Sequence, residues 1–452
     1  MLDIKYIREN PEKVKQNILN RRVDPNKADV DELLLVDARK LKLQREIEEM
    51  RAARNKLADE LKEESLRTPE KIAEGKKIKE AVGISEKELA EIGARWQTLM
   101  DWMPNMLAPE VPIGVDDNDN IEIKAWSKKA GYFKKEQLGM KDFSKQWMPS
   151  HVFDGKDHVE LGKNLDIIDV EQSGLVSGSR FYYLKNDAAL IQYAIFDLLA
   201  KKLIKEGFTP MVVPLMVRAR ALYGSSHFPG DADQVYKIES KYVEENNDLY
   251  LVGSSEPSLF AYYMDKTVKK TELPQKFFAQ TSCFRSEVGS WGKDVRGIKR
   301  VHQFDKLEMD LICDPEKSVE MQEYLLGINE WMLQQLGLPY HVILMCSGDA
   351  GYYATYKKYD FEVWLPVQKT FIEMGSNTNA WDYQARRFNT RFIDDDGIRK
   401  YVHNVNDTGI TGPRTIISIL ENYQNADGTV TVPEVLQEYV GKKIIASKTS
   451  TV

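Results

Sequence analysis

The stretch CFRSEVGSWGKDVRGIKRVHQFDKLE, Cys283–Glu308, sets the problem for the whole chain. Strand side chains alternate faces, so an extended first arm places Arg285 and Glu287 together. An extended second arm collects Arg300, His302, Phe304, Lys306 and Glu308 on one face, with a glycine-studded loop between the two. Alternating charge on a hairpin is by itself a solvated face. It is also the pattern of a binding floor, because guanidinium suits phosphate or carboxylate and a flanked phenyl ring suits a flat base.

The rest of the chain narrows the choice. Its 452 residues are 42% apolar, enough for two or three domains with real cores. No run approaches the roughly 18 apolar residues of a membrane span, and MLDIKYIRENPEKVKQNI is charged from its third residue, unlike a signal peptide. Cys283, Cys313 and Cys346 lack CxxC spacing, and the six histidines form no HxxxH pair. A soluble cytoplasmic protein is expected. The net charge of −7 lies wholly beyond residue 107, since residues 1–107 hold 22 residues of each sign. A balanced N-terminal third can touch nucleic acid through a local basic face.

That third carries heptads. Leu43, Ile47, Met50, Arg54, Leu57 and Leu61 step by four and three, as do Ile78, Val82, Ser85, Leu89, Ile92, Trp96, Leu99 and Met103. Thr68-Pro69-Glu70 between them reads as a turn and helix start. The spacing predicts an antiparallel coiled-coil hairpin over about 30–103, with arms of roughly 45–50 Å. Basic residues crowd its tip, Lys71, Lys76, Lys77 and Lys79 among them: a solvated face or a phosphate-tracking one. Prolines and the acidic run DDNDN mark residues 108–130 as a linker. Residues 131–452 then read as an α+β domain, a mostly antiparallel sheet flanked by helices. No GxGxxG or GxxxxGK[ST] motif supports a Rossmann or P-loop site.

Three further groups can carry chemistry. IEMGSN ends an apolar run on Glu373, with Ser376 three residues on. A carboxylate and a hydroxyl at a strand end suit Mg²⁺, which takes oxygen ligands and leaves room for phosphate. In VHNVNDTGITGPRT, Asn406 and Thr408 share a face. Arg414 then opens a helix, where the macrodipole disfavours a cation, so an anion is needed to offset it. Ser254-Ser255-Glu256 follows the strand-like LYLVG as a cap or an ammonium site.

In order, FRSE…GIKRVHQFDKLE, IEMGSN…DYQARR and NDTG…GPRTIISILENYQ closely resemble the seryl-tRNA synthetase family of the bacterial type, over essentially the whole chain. The resemblance implies a class II antiparallel sheet as catalytic domain and an N-terminal tRNA-binding domain, residues 1–107. It implies a serine–tRNA ligase that forms seryl-adenylate from serine and ATP with Mg²⁺ and then charges tRNA(Ser). It also implies a homodimer through the Pro214 region, with no membrane or DNA partner. Carried over by position, Arg285 holds the α-phosphate and the amino-acid carboxylate, Glu287 meets the adenine edge, and Phe304 stacks on the ring. Arg300 and Arg414 take the β/γ-phosphates, and Glu373 and Ser376 the metal. Ser254, Glu256, Glu308, Asn406 and Thr408 line the serine pocket. Catalysis is thereby assigned to Arg285, Arg414 and Glu373. The loop between the hairpin arms moves to admit the tRNA end. Gln384, Arg386 and Arg387 are expected to be structural or surface residues.

The chain departs from the family at Ser254-Ser255-Glu256 (usually Thr-Ala-Glu), at Gly375–Asn379 (Ser-Ser-Cys-Ser-Asn), at Asn406-Asp407-Thr408 (Asn-Gly-Ser) and at Ser225–Pro229 (Thr-Gly-Gln-Leu-Pro). Asp407 sets a carboxylate beside the expected pocket. The alternatives are a paralog that binds tRNA or a partner without charging it, and a ligase of altered amino-acid preference.

Overall fold

The computed structural model describes residues 1–134, 144, 147–239, 248–289, 296–351 and 353–447. The loop expected to move falls on residues 290–295, outside the described residues. The chain forms two compact units, Met1–Pro104 and Asn105–Val452.

In the first unit, helix α1 (Val30–Glu60) and helix α2 (Pro69–Trp102) pair along the heptad seam. Asp29 caps α1 by accepting from the Glu32 N–H at 2.9 Å. Thr68 caps α2, with Pro69 at its first position. Thirty-one residues make α1 about 46 Å long. Leu43, Ile47, Leu57, Val82 and Leu99 are buried, and Met50, Arg54, Ile78 and Trp96 are half-buried. Glu32–Arg95, Arg39–Glu88 and Glu60–Lys71 ion pairs join the helices and fix the antiparallel register. Such exposed pairs set orientation more than stability. Asp37 is buried at the seam, where it accepts from Trp96 Nε1 at 3.0 Å and from Arg8 Nε at 2.7 Å.

The second unit is built on a nine-stranded sheet. Its strands are β1 (Ile121–Ser127), β2 (Gly131–Lys134), β3 (Thr209–Pro210), β4 (Gln275–Phe284), β5 (Gln303–Cys313), β6 (Tyr340–Leu344), β7 (Lys357–Leu365), β8 (Thr370–Trp381) and β9 (His403–Thr411). The order is β2-β1-β6-β7-β8-β9-β5-β4-β3, antiparallel except for the short β3–β4 contact. One face of β5 and β9 presents Leu307, Met309, Leu311, Val405 and Ile410 to a core. That core includes α3 (Asn186–Lys205), α5 (Ser318–Gln335) and α6 (Gly412–Tyr423). The other face of β5 carries Phe304, Lys306, Glu308 and Asp310. Helix α4 (Glu256–Ala261) packs Leu259 and Phe260 on this side, against Phe277 and Ala279 of β4. Antiparallel α+β is the architecture expected.

Three local expectations are corrected. Residues 121–127 lie in the stretch read as linker, yet they form β1, paired with β6. Their alternation was hidden behind the prolines and acidic run before them. Strand β4 stops at Phe284, so Arg285 and Glu287 share no strand. The Arg285 N–H still donates to the His302 carbonyl at 3.0 Å, but Glu287 turns into the left-handed region at φ 50°. Arg300 and His302 likewise precede β5. Glu373 does not end its strand either: β8 runs eight residues further, to Trp381.

An ionic lock joins β1 to the sheet. His341 of β6 is buried, with Nδ1 2.6 Å from Glu122 and Nε2 2.8 Å from Glu362, and its ring stacks on Phe371. Burial pushes the imidazole pKa down, but the two carboxylates outweigh it and the net shift is upward. Burial raises the Glu122 carboxyl, and His341 with Ser144 brings it below its ordinary value. His341→Ala should cost about 3–5 kcal/mol, since it leaves carboxylates partly buried and unpaired, read as a lower urea midpoint. The imidazolium's contribution is full below its unfolded value of 6.5 and is lost as pH rises through the raised folded value. The wild-type advantage over the variant should therefore shrink in alkaline buffer. An advantage that grows there overturns the assignment.

Candidate active site

Two bulges shape the floor of the cleft. Between β7 and β8 the register runs Asp360↔Ser376, Phe361↔Gly375, then Glu362↔Glu373, leaving Met374 as the extra residue. In a regular strand Glu373 and Ser376 point to opposite faces. The bulge puts them on one face, beside Glu362 and Asp360. Between β5 and β9, Glu308 pairs with Thr408 and Leu307 with Ile410, so Gly409 is extra. Thr408 and Thr411 thereby share the cleft side. A Cβ on Gly409 would meet Leu199 Cδ2 at 2.8 Å and the Leu307 carbonyl at 3.0 Å, so this bulge needs a glycine.

One cleft is lined by Arg285, Glu287, Arg300, Phe304, Glu373 and Arg414, together with Lys306 and Thr408. The Arg285 guanidinium carbon lies 5.3 Å from the centre of the Phe304 ring, and its Nε donates to the Gly253 carbonyl at 3.2 Å. Arg300 Nη1 stands 3.5 Å from Glu287 Oε2. Arg414 Nη1 reaches the Glu373 carbonyl at 2.7 Å and its carboxylate at 3.3 Å. The anion demanded by a cation at a helix start is thus Glu373. Burial alone would raise that carboxyl. Arg414 first, then Lys358 and Arg285, hold it well below its ordinary value instead. Glu373 therefore stays ionised throughout the physiological range.

Glu308, Ser254 and Thr408 meet behind Phe304. The Thr408 hydroxyl donates to Glu308 Oε2 at 3.4 Å, and Ser254 Oγ accepts from the Glu256 N–H at 3.2 Å. Glu256 accepts from Gln384 Nε2 at 2.6 Å and from Asn406 Nδ2 at 3.4 Å. Burial, and next the Glu308 charge, push its carboxyl up to about 8. Asp310 lies directly below on β5, fully buried and also shifted upward.

Some groups sit differently from expectation. Ser376 is not among the residues lining the cleft. It lies opposite Asp360, whose carboxyl it stabilises. Asp407 faces away from the pocket, towards α5, accepting from Asn377 Nδ2, which also donates to the Gln322 carbonyl. It is fully buried, and burial raises its carboxyl well above the ordinary value. Arg387 is structural, donating to the Tyr223 and Phe228 carbonyls, as is Arg386 beside Asp382. Gln384 positions Glu256. Asp360, Lys306 and Asp310 were not picked out by sequence as residues of this floor. Asp360 needs the bulge to be placed. Lys306 was visible as a member of the Phe304–Glu308 face, with nothing to mark it as interior.

A Cβ on Gly375 would lie 2.6 Å from Thr408 Cβ and 2.8 Å from Phe361 Cζ, so this position has room for glycine alone.

Donor chemistry at Glu373 suits a hard cation. An ionised carboxylate opens on the cleft, with Asp360 and the Ser376 hydroxyl on the same strand faces. Among the described residues no three His, Cys, Asp or Glu side chains cluster as a self-sufficient metal cage.

Comparison with known proteins agrees with this architecture. Residues 1–107 match the seryl-tRNA synthetase N-terminal domain, and residues 236–423 the class II tRNA synthetase core domain (G, H, P, S and T). The serine–tRNA ligase of Dictyoglomus turgidum is 39% identical over 99% of this chain and 100% of its own length. The seryl-tRNA synthetase of Pyrococcus horikoshii, solved with ATP, superposes with a TM-score of 0.88 at 37% identity, covering 99% of this chain and 100% of that one. The cytoplasmic serine–tRNA ligase of Naegleria fowleri, solved with AMP, gives 0.81 at 27% identity over 99% of both chains. With both of its units matched and relatives aligned end to end, the chain belongs to the seryl-tRNA synthetase family.

Proposed function

We propose that the chain is a serine–tRNA ligase that activates serine with ATP and transfers it to the 3′-terminal ribose of tRNA(Ser) in the cytoplasm. One observation carries this: Arg285, Glu287, Arg300, Phe304, Glu373 and Arg414 converge on one cleft, with Glu308, Ser254 and Thr408 at its inner end. Relatives solved with ATP and AMP support a nucleotide there. Adenine stacks on Phe304 with its edge at Glu287. Arg285 neutralises the α-phosphate and orients the serine carboxylate for in-line attack, while Arg300 and Arg414 hold the β/γ-phosphates of the departing pyrophosphate. Such a reaction needs positioning and charge neutralisation rather than a side-chain base. Glu373, with Ser376 through its neighbour Asp360, would hold Mg²⁺, which adds positive charge at the phosphates. The ribose hydroxyl of the tRNA end then attacks the activated carbonyl.

Serine is favoured over other amino acids because its hydroxyl would complete the hydrogen bonding of the buried Glu308–Thr408 pair, which a side chain without a hydroxyl cannot do. Asp407, the departure that most favoured altered preference, faces the opposite side of the sheet. The basic tip of the α1–α2 hairpin would track tRNA phosphates. The Pro214 segment is assigned to a homodimer contact: Val212 and Met216 are exposed beside it, while the Pro214 carbonyl accepts from Ser258 Oγ at 2.6 Å. Among the described residues no helix is long and apolar enough to cross a membrane.

Three outcomes test this reading. Purified protein should catalyse serine-dependent ATP–pyrophosphate exchange, and Arg414→Ala should slow it by about 100-fold or more, the usual loss on removing a transition-state donor. Ordinary exchange in that variant would refute the role of Arg414. Reversing Lys76, Lys77 and Lys79 to Glu should raise the KM for tRNA and flatten its salt dependence. Exchange should be spared, and equal loss of both activities would refute a separate tRNA-tracking arm. Glu256, pushed up to about 8 by burial and the Glu308 charge, is protonated at pH 7. Glu256→Gln, which imitates the protonated carboxyl, should therefore keep serine-dependent exchange at pH 7 within a few-fold of wild type. A loss of about 100-fold or more in that variant overturns the assignment.

A further inference from the structure

Lys306 is buried on the cleft side of β5, with its ammonium among three oxygens. Glu308 Oε2 lies at 2.6 Å, Ser254 Oγ at 2.8 Å and Thr408 Oγ1 at 3.4 Å. An alkylammonium has three N–H donors and no acceptor, so these contacts use all of them. The α-ammonium of an amino acid has the same three donors and the same charge. The acceptors around Lys306 are also those assigned above to serine. Two ammonium groups cannot share one carboxylate and two hydroxyls at these distances without strong repulsion. Leaving Glu308 with neither is also costly, because a buried carboxylate needs its counter-charge.

Lys306 has somewhere to go. Besides meeting Glu308 it lines the cleft that also holds Arg285, Glu373 and Arg414. Its four-carbon stem turns readily, and its charge is a compact point rather than a fork that demands one geometry. Rotation about that stem carries the ammonium from the amino-acid end towards the phosphate end without moving β5.

We propose that Lys306 is a placeholder: its ammonium occupies the substrate ammonium's position in the empty pocket and, displaced by serine, turns towards the α-phosphate. This rests on the reading of the pocket as the serine site. Serine binding then does two things at once. It replaces one cation on Glu308 by another, so Glu308 is never bare, and it adds a positive charge where ATP carries negative ones. Serine and ATP should therefore bind with positive coupling, equal in both directions.

Lys306→Met, which keeps the stem and removes the charge, tests this. The variant should bind serine alone at least as tightly as wild type, because the competing ammonium is gone. Its turnover in serine-dependent exchange should fall about tenfold or more. The coupling between serine and an ATP analogue with a methylene α–β bridge should vanish in calorimetry. A fall of tenfold or more in serine affinity with turnover retained overturns the proposal, since Lys306 would then be a direct ligand of serine. Lys306→Arg covers the case in which the methionine variant does not fold. A bulkier cation that is harder to displace should raise the serine KM and leave the ATP KM unchanged, and an unchanged serine KM counts against the placeholder. Wild-type protein without serine-dependent exchange defeats the reading of the pocket, whereas active wild type with both variants ordinary defeats only the role of Lys306.

Discussion

A charge held on the floor of a sheet, under other side chains, has lost most of its water and must recover that solvation from a partner. Removing one member of a fully buried pair such as Lys306–Glu308 costs about 3–5 kcal/mol, and the half-exposed Glu373 beside Arg414 less, so the charges on the cleft floor constrain their neighbours. Arg414 stands at the start of α6, where the helix dipole opposes it, and Glu373 answers it through both carboxylate and carbonyl. Lys306 stands under Phe304, and Glu308 answers it at 2.6 Å. The Arg414–Glu373 pair ties α6 to β8, whereas Lys306 and Glu308 lie two residues apart on β5 and meet on its own face. The apolar core on the opposite face supplies the stability that lets the floor remain charged.

Meeting that need conflicts with the geometry of a strand. Period two allows i and i+2 to face a site, and the groups at 373 and 376, or at 408 and 411, are three apart. Each conflict is resolved by one extra residue, Met374 on β8 and Gly409 on β9. Beside the two bulges Gly375 has no room for a side chain, since its Cβ would lie 2.6 Å from Thr408 Cβ.

This geometry explains which parts of the protein were legible in its sequence. Heptads survive translation into structure because a coiled-coil seam is a local, one-dimensional repeat, and the α1–α2 seam runs through the positions where the apolar spacing puts it. Phe304, Lys306 and Glu308 were legible for the same reason, as a regular stretch of β5. The failures are all non-local. β1 finds its partner in β6, more than 200 residues away, and no nearby signal separates it from the acidic turn before it. A bulge is set by the partner strand, so Asp360 could not be joined to Ser376 from spacing. Family resemblance named most of the cleft, but not Lys306, whose lysine looks like any solvated strand residue until its burial is known. Asp407 failed in the opposite sense, since adjacency to Thr408 in sequence is opposition across a strand.

The two ends of the cleft are tuned in opposite directions, and the chemistry explains why. At the phosphate end Glu373 is held far below the usual carboxylate range by Arg414, Lys358 and Arg285. On the proposed reading charge there would be fixed in advance, because preorganised charge costs no reorganisation as the α-phosphorus is attacked. At the amino-acid end Glu256 and Asp310 are pushed upward by burial and by one another's neighbour Glu308. A pocket with three charged carboxylates and no ligand would repel itself apart, and the upward shift of two of them leaves Glu308 on Lys306 as the stable empty arrangement. On the proposed reading serine's ammonium takes over that pairing as Lys306 leaves, so Glu256 and Asp310 meet the same charge before and after binding. Selectivity would then fall to the hydroxyl, whose hydrogen bonds to the buried Glu308–Thr408 pair an amino acid without one cannot make.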